Sequence, residues 1–455
     1  MHPSSPPTPA ATLSRTLTLR DLIVIVVGTV IGSGIFIVPA TVLAQTGGDI
    51  GPALLVWFIA GVLSLLGALT YGEMGAANPS AGGLYTYIRD AFGPLPAFLF
   101  GWTMFFVISS GSLATLAVAF TGYLGEFTTL SRALARVIAV LMIAIVTAIN
   151  VLGTRKSAGV QGLTTVIKAL AIVLISIVLV SRGTGFSTGD PQWWPAQLEP
   201  SLLSGVGLAM IGVLWAYEGW QYVTFSAGET RDPHRTFPLG ITIGTTLLIG
   251  IYLLANVGYI AALGPETASH SERIAAQSVT AIMGPAAGKV IAGIILISMF
   301  SAANGLVLTA PRLYFSMARD GLFFGKLAEV HPRFATPAFA IVAGSAWATL
   351  LAVSGTFEQL LTYVVFAGWI FYGLGALAIF SYRRKAPSAE RPFSVPGYPV
   401  TPVLFVASAA AIVGNTLVTQ PGRALIGIAA VAIGVPAYYF WRAKSRRSGV
   451  AAASD

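Results

Sequence analysis

The chain has 455 residues, 55% of them hydrophobic and 9% charged, with a mean hydropathy of +0.79. A soluble domain carries roughly 25% charged residues, so a water-soluble enzyme is excluded. The net charge is +9, and the absence of cysteine removes disulfides, thiolate nucleophiles and cysteine metal sites.

Residues 1–20 open with a Pro-, Ser- and Thr-rich stretch and read as a disordered cytoplasmic tail. Twelve apolar runs follow, each near the roughly 20 residues that cross a hydrocarbon core. They cover about 22–44, 52–76, 95–123, 133–152, 160–181, 203–227, 238–262, 287–311, 337–354, 359–381, 400–418 and 424–442. The runs are long and continuous rather than short and alternating, which disfavours a barrel. The expected fold class is therefore all-α and integral to the membrane, with 12 transmembrane helices. The first run is too long for a signal-peptide core, and no cleavage pattern follows it. The expected units are a core over 21–381, helices 11 and 12 within 382–443, and a cytoplasmic tail over 444–455.

Basic residues orient the spans. With the amino terminus inside, nineteen of the 26 Lys and Arg residues fall on inside segments and six outside, while Lys168 lies within a span. This split follows the positive-inside rule and places both termini in the cytoplasm of a multi-pass plasma-membrane protein. The positive charge is thus a topology signal, and nucleic acid is not an expected partner.

Span 1 carries Gly28-Thr29-Val30-Ile31-Gly32-Ser33-Gly34. Each glycine costs a helix interior roughly 1 kcal/mol against alanine. The bland reading is close packing between helices. The sharper one is an unwound stretch, which membrane depth tolerates only where it lines a cavity or is buried in protein. Span 6 carries Trp215-Ala216-Tyr217-Glu218-Gly219-Trp220, a carboxylate and a glycine inside an apolar run. Spans 1 and 6 each begin a set of five, the arrangement of an inverted repeat (21–181 and 203–381) whose first helices are discontinuous. A half-helix that starts after a break offers N–H groups and a positive dipole end to a carboxylate. One that ends before a break offers carbonyls to an ammonium. Two such breaks side by side match the zwitterion of an α-amino acid.

These residues resemble a known family. Residues 28–36 are similar to the first-helix motif of the amino acid–polyamine–organocation (APC) superfamily. Tyr71-Gly72-Glu73-Met74 through Leu84-Tyr85 resembles its segment between helices 2 and 3. Trp215 to Trp220 resembles the helix 6 break of its L-type amino acid transporter (LAT) branch. Asn304-Gly305 and Arg312 through Gly321 resemble the end of helix 8 and its loop, and His331-Pro332-Arg333 with Thr336-Pro337 continues the pattern. The resemblance implies the LeuT fold and amino acid exchange without sodium. It implies that the N–H groups of Ser33 and Gly34, with Ile31 and Gly32 beside them, meet the substrate carboxylate. The carbonyls of Val30, Trp215 and Ala216 would meet its amine, Trp215 would close over it, and Glu218 and Gly219 would complete the break. An indole at 215 favours a small substrate side chain. Glu218 stands where the eukaryotic branch often has glycine. The heavy-chain disulfide of that branch cannot form in a chain without cysteine.

Two charges remain inside the membrane. Lys168 lies about eight residues into span 5, on the order of 12 Å deep. A lysine can snorkel to the interface, but intramembrane charge usually marks function. The resemblance places it where sodium-coupled relatives hold Na⁺, with the helix 1 break and Ser298 as partners and a role in coupling and gating; a buried amine could also carry a proton. Glu218 could pin the broken backbone by accepting its N–H groups, or meet a cationic substrate side chain; the first is favoured because broken backbone needs partners. Glu73 reads as structural. The histidines (His2, His234, His270, His331) fall in tails or loops, no metal site or cofactor is expected, and no phosphate-binding loop appears. The expected function is a secondary amino acid transporter rather than an enzyme, an exchanger first, a proton-coupled symporter or uniporter second, with a non-transporting receptor or a channel as the different class. Its expected partners are the amino acid and the lipid bilayer, with no heavy chain.

Overall fold

The computed structural model describes residues 15–80, 82–187, 192–197, 200–355 and 357–447. Of the tail read as disordered over residues 1–20, Thr16 and Leu17 are hydrogen-bonded to Glu229 and a helix begins at Leu19; residues 1–14, the tail beyond 447 and Ala81 of the joining motif lie outside the described residues.

Every element is helical, and no strand occurs among the described residues apart from one isolated bridge between Leu17 and Thr230. The first span is two helices, α1 (Leu19–Val30) and α2 (Gly34–Gln45), bent by 49° at their junction. Thr18 and Asp21 start α1 with a reciprocal capping box, Asp21 accepting the Thr18 N–H at 2.8 Å. Next come α3 (Ile50–Ala77), a short half-buried helix α4 (Leu84–Phe92), and a span made of α5 (Pro94–Thr103), a π turn at Met104–Ile108, and α6 (Ser109–Leu124). Helices α7 (Arg132–Val151) and α8 (Thr154–Arg182) complete the first half.

The second half opens with α9 (Pro200–Ala216), which stops at a turn and continues as a 3₁₀ stretch, Trp220–Glu229. It proceeds through α10 (Pro233–Leu263), two short helices α11 (Pro265–Ser269) and α12 (Ile274–Met283), α13 (Pro285–Thr309), α14 (Pro311–Arg319), α15 (Ala338–Ser354) and α16 (Phe357–Lys385). Helices α17 (Val400–Thr419) and α18 (Pro421–Arg447) follow. His234 sits in the first turn of α10, where its ring meets the carbonyl of Ala76 at 2.8 Å.

Among the described residues, ten helices are long and apolar enough to cross a membrane, or eleven with the bent pair taken as one span. This differs from the twelve expected, and the difference is α15. Its 17 residues are about 25 Å long at the usual rise, short of a typical ~30 Å core. The outward faces of α7 and α8 carry exposed Leu141, Ile145, Leu170 and Leu174, surfaces suited to hydrocarbon rather than water.

One end of the molecule is tied by charge. Arg383 grips Glu73 with two bonds of 2.8 and 2.6 Å, and the Val395 N–H adds a third at 2.7 Å. Arg89 and the Tyr85 hydroxyl both reach Asp320 at 2.7 Å, and buried Arg312 meets Glu229 at 2.7 Å. The chain before α1 docks here too, with the Thr16 and Leu17 N–H groups donating to Glu229 O.

Candidate functional site

The site is built where the α1–α2 and α9–3₁₀ breaks touch. Ile31, Gly32 and Ser33 leave the helical path, and Tyr217, Glu218 and Gly219 form the matching turn. Two glycines permit the approach. Gly219 has φ +128°, a conformation side chains rarely adopt, and a Cβ there would stand 3.1 Å from the Thr29 backbone. A Cβ on Gly34 would stand 2.4 Å from Ala216 Cα, so only glycine lets α2 start against the end of α9.

A break strands backbone groups, and in a buried setting each needs a partner. The carbonyls freed at the end of α1 find theirs on three other helices. Lys168, fully buried on α8, donates from Nζ to Gly28 O at 2.7 Å and Ile31 O at 2.5 Å, with Ser298 O at 3.4 Å. The Ser298 hydroxyl on α13 donates to Ile31 O at 3.1 Å and lies 3.4 Å from Gly32 O. The Tyr252 hydroxyl on α10 reaches Val30 O at 3.1 Å and Ala216 O at 2.9 Å, one group spanning both breaks. Its single proton serves one carbonyl at a time. On the other side of the break, the N–H groups of Ser33 and Gly34 have no backbone acceptor among the described residues.

Glu218 differs from the expectation that it accepts backbone N–H groups. Its Oε1 accepts from the Gln221 amide at 2.6 Å and the Tyr372 hydroxyl at 2.5 Å. The backbone donor nearby, Gly219 N–H, goes to Gln221 Oε1 at 3.2 Å. The carboxylate therefore holds a side chain, and that side chain holds the turn.

Between the breaks lies a cavity of about 20 Å³, room for roughly one water. Val30, Gly32, Ser33, Gly34, Trp215 and Glu218 line it. Ile31 turns its carbonyl the other way, toward Lys168 and Ser298, while Ala216 packs under Gly34 and Gly219 against Thr29. Ser112 and Leu116 from α6 and Leu306 from α13 also line the cavity and were not singled out from sequence. The hydroxyls of Ser33 and Ser112 are buried there without hydrogen-bond partners. Tyr252, Gln221 and Tyr372 were missed as well. The one available signal was a tyrosine inside an apolar run, since a buried phenol needs a partner.

A sequence profile of amino acid permeases matches residues 17–435. The chain belongs to the amino acid permease family. The permease is 32% identical to the serine/threonine exchanger SteT of Bacillus subtilis (strain 168) over 430 residues, 94% of this chain and 97% of the relative. It is 32% identical to the human b(0,+)-type amino acid transporter 1 over 415 residues, 90% of this chain and 84% of that one. It is 32% identical to the human cystine/glutamate transporter over 443 residues, covering 95% and 87%. These relatives bear out the APC resemblance read from the motifs, and with the ten long apolar helices they make the permease a multi-pass membrane protein of a transporter family.

Proposed function

We propose that this permease exchanges one amino acid for another across the plasma membrane by alternating access, without sodium. The observation that carries the reading is the meeting of the two breaks: free N–H groups on Ser33 and Gly34 against carbonyls of Val30 and Ala216. That pairing of donors and acceptors suits a carboxylate and an ammonium on one carbon. The relative named as a serine/threonine exchanger supports antiport and makes small neutral amino acids the first substrates to test. Trp215 and the two unpartnered serine hydroxyls beside it fit a short, polar side chain.

The cavity is too small for an amino acid, so the breaks must part to admit one. In this reading Lys168 stands in for a cation that would otherwise bind between α1 and α13, and it passes motion of α8 and α13 to the first break. The architecture proposed is the LeuT fold with 12 spans, α15 crossing as a short ninth helix. Residues 21–181 and 203–381 form the inverted repeats, both termini are cytoplasmic, and no disulfide-linked heavy chain is involved.

Counterflow in proteoliposomes tests the proposal. Labelled serine enters vesicles loaded with unlabelled serine and not empty ones. Uptake into empty vesicles driven by a pH gradient would replace exchange with proton symport through Lys168. Binding without flux would make the protein a receptor.

A further inference from the structure

Where α2, α8 and α10 end, two cavities of about 830 and 480 Å³ share Ala44, Gly47, Asp49 and Gln192 in their walls. Asp49 precedes α3, the position where an aspartate ordinarily accepts an N–H from the first turn. It makes no such bond. The cause is local. Ile50 N–H donates to Gln192 O at 3.2 Å, Gly51 N–H donates to Trp193 O at 2.8 Å, and the next residue, Pro52, has no N–H. The carboxylate therefore has no donor left to cap.

Among the described residues it also has no hydrogen bond and no ion pair, although Asp49 is only 6% exposed. Its Oδ2 lies 3.8 Å from the point a Cβ on Gly47 would occupy, and Gly47 lines both cavities. No Lys or Arg lines either one among the described residues; Glu266 and His270 line the larger. The carboxylate lines both cavities with no positive charge beside it among the described residues, so a cation entering them meets an uncompensated negative charge. A metal ion fits poorly, because among the described residues no three His, Cys, Asp or Glu groups gather to hold one. The volume suits an organic cation.

We propose that Asp49, with Glu266 in the wall of the same cavity, binds a primary ammonium group at a site separate from the helix breaks. The proposed orientation makes this the outer face; the binding itself does not depend on that reading.

Ethanolamine is the probe, because it carries the ammonium and lacks the carboxylate that the helix breaks require. Calorimetry on the full chain in lipid nanodiscs should detect ethanolamine binding, with at least a tenfold loss in Asp49→Asn and a smaller, about threefold loss in Glu266→Gln. Acetate should not bind. Asp49→Glu, which keeps the charge, should restore binding, and an unchanged melting temperature in each variant shows that folding is intact. If ethanolamine raises the serine concentration needed for half-maximal uptake, the natural occupant is the substrate's own ammonium; if it binds without affecting uptake, the site serves a separate amine. Absence of ethanolamine binding, or equal binding by Asp49→Asn, overturns the proposal. Counterflow is a separate readout, so failure of this site leaves the exchange reading standing.

Discussion

The two helix breaks solve the same problem in different ways. The first is made of glycine and serine, and its stranded carbonyls are held from outside by Lys168 on α8, Ser298 on α13 and Tyr252 on α10. The second is held close to home: Gln221, three residues along, ties Glu218 to the Gly219 N–H, and Tyr372 on α16 completes the set. A break held by three separate helices changes when any of them moves. A break whose turn is tied through its own Gln221, with single outside hydroxyls from Tyr252 and Tyr372, keeps more of its shape. The first is therefore the element suited to report helix motion, and the second the element suited to present a fixed surface.

Lys168→Ala is the strongest way to break this contrast. Hydrogen bonds to a charged group contribute about 1.5–3 kcal/mol each, and the substitution removes two short ones from buried carbonyls. Exchange should fall at least tenfold, on the scale of about 1.4 kcal/mol per factor of ten. The measurement is rate and apparent affinity at each face of oriented proteoliposomes, corrected for folded protein. Unchanged values on both faces would mean that the first break does not depend on α8. A purely structural lysine would lower only the amount of folded protein.

Tyr252→Phe tests the hydroxyl that reaches a carbonyl of each break. Losing a neutral hydrogen bond costs about 1 kcal/mol, so substrate affinity should weaken by about fivefold while protein yield stays near normal. Equilibrium binding of serine checks this. Tighter binding would show instead that the hydroxyl competes with the substrate amine for Val30 O and Ala216 O.

The sequence made some of this legible and hid the rest, for physical reasons. The helices show because hydrocarbon demands long apolar runs, and α15 blurs the count because 17 residues sit at the lower limit of a span. The first break shows because glycines at 28, 32 and 34 are costly in a helix. Lys168 and Glu218 show because charge is rare in these spans. Tyr252 and Tyr372 do not, since the chain has 15 tyrosines and nothing local marks the two whose partners lie on distant helices. The direction of Glu218 was equally hidden. Its two readings, accepting backbone N–H groups or meeting a cationic substrate side chain, both left out Tyr372, which is 154 residues away.

Glu218→Gln carries the smallest expected effect and the finest distinction. The amide oxygen can still accept from Gln221 or Tyr372, so the second break should hold, and alanine uptake should stay within about twofold of the parent, in the range of one weakened hydrogen bond. If the carboxylate's work is to hold Gln221, and through it the Gly219 N–H, arginine uptake should change by the same factor as alanine uptake. If its work is to meet a cationic side chain, arginine alone should be lost, because a neutral amide leaves a buried guanidinium without its counter-charge. The ratio of the two uptake rates decides between a carboxylate that shapes the site and one that selects its contents.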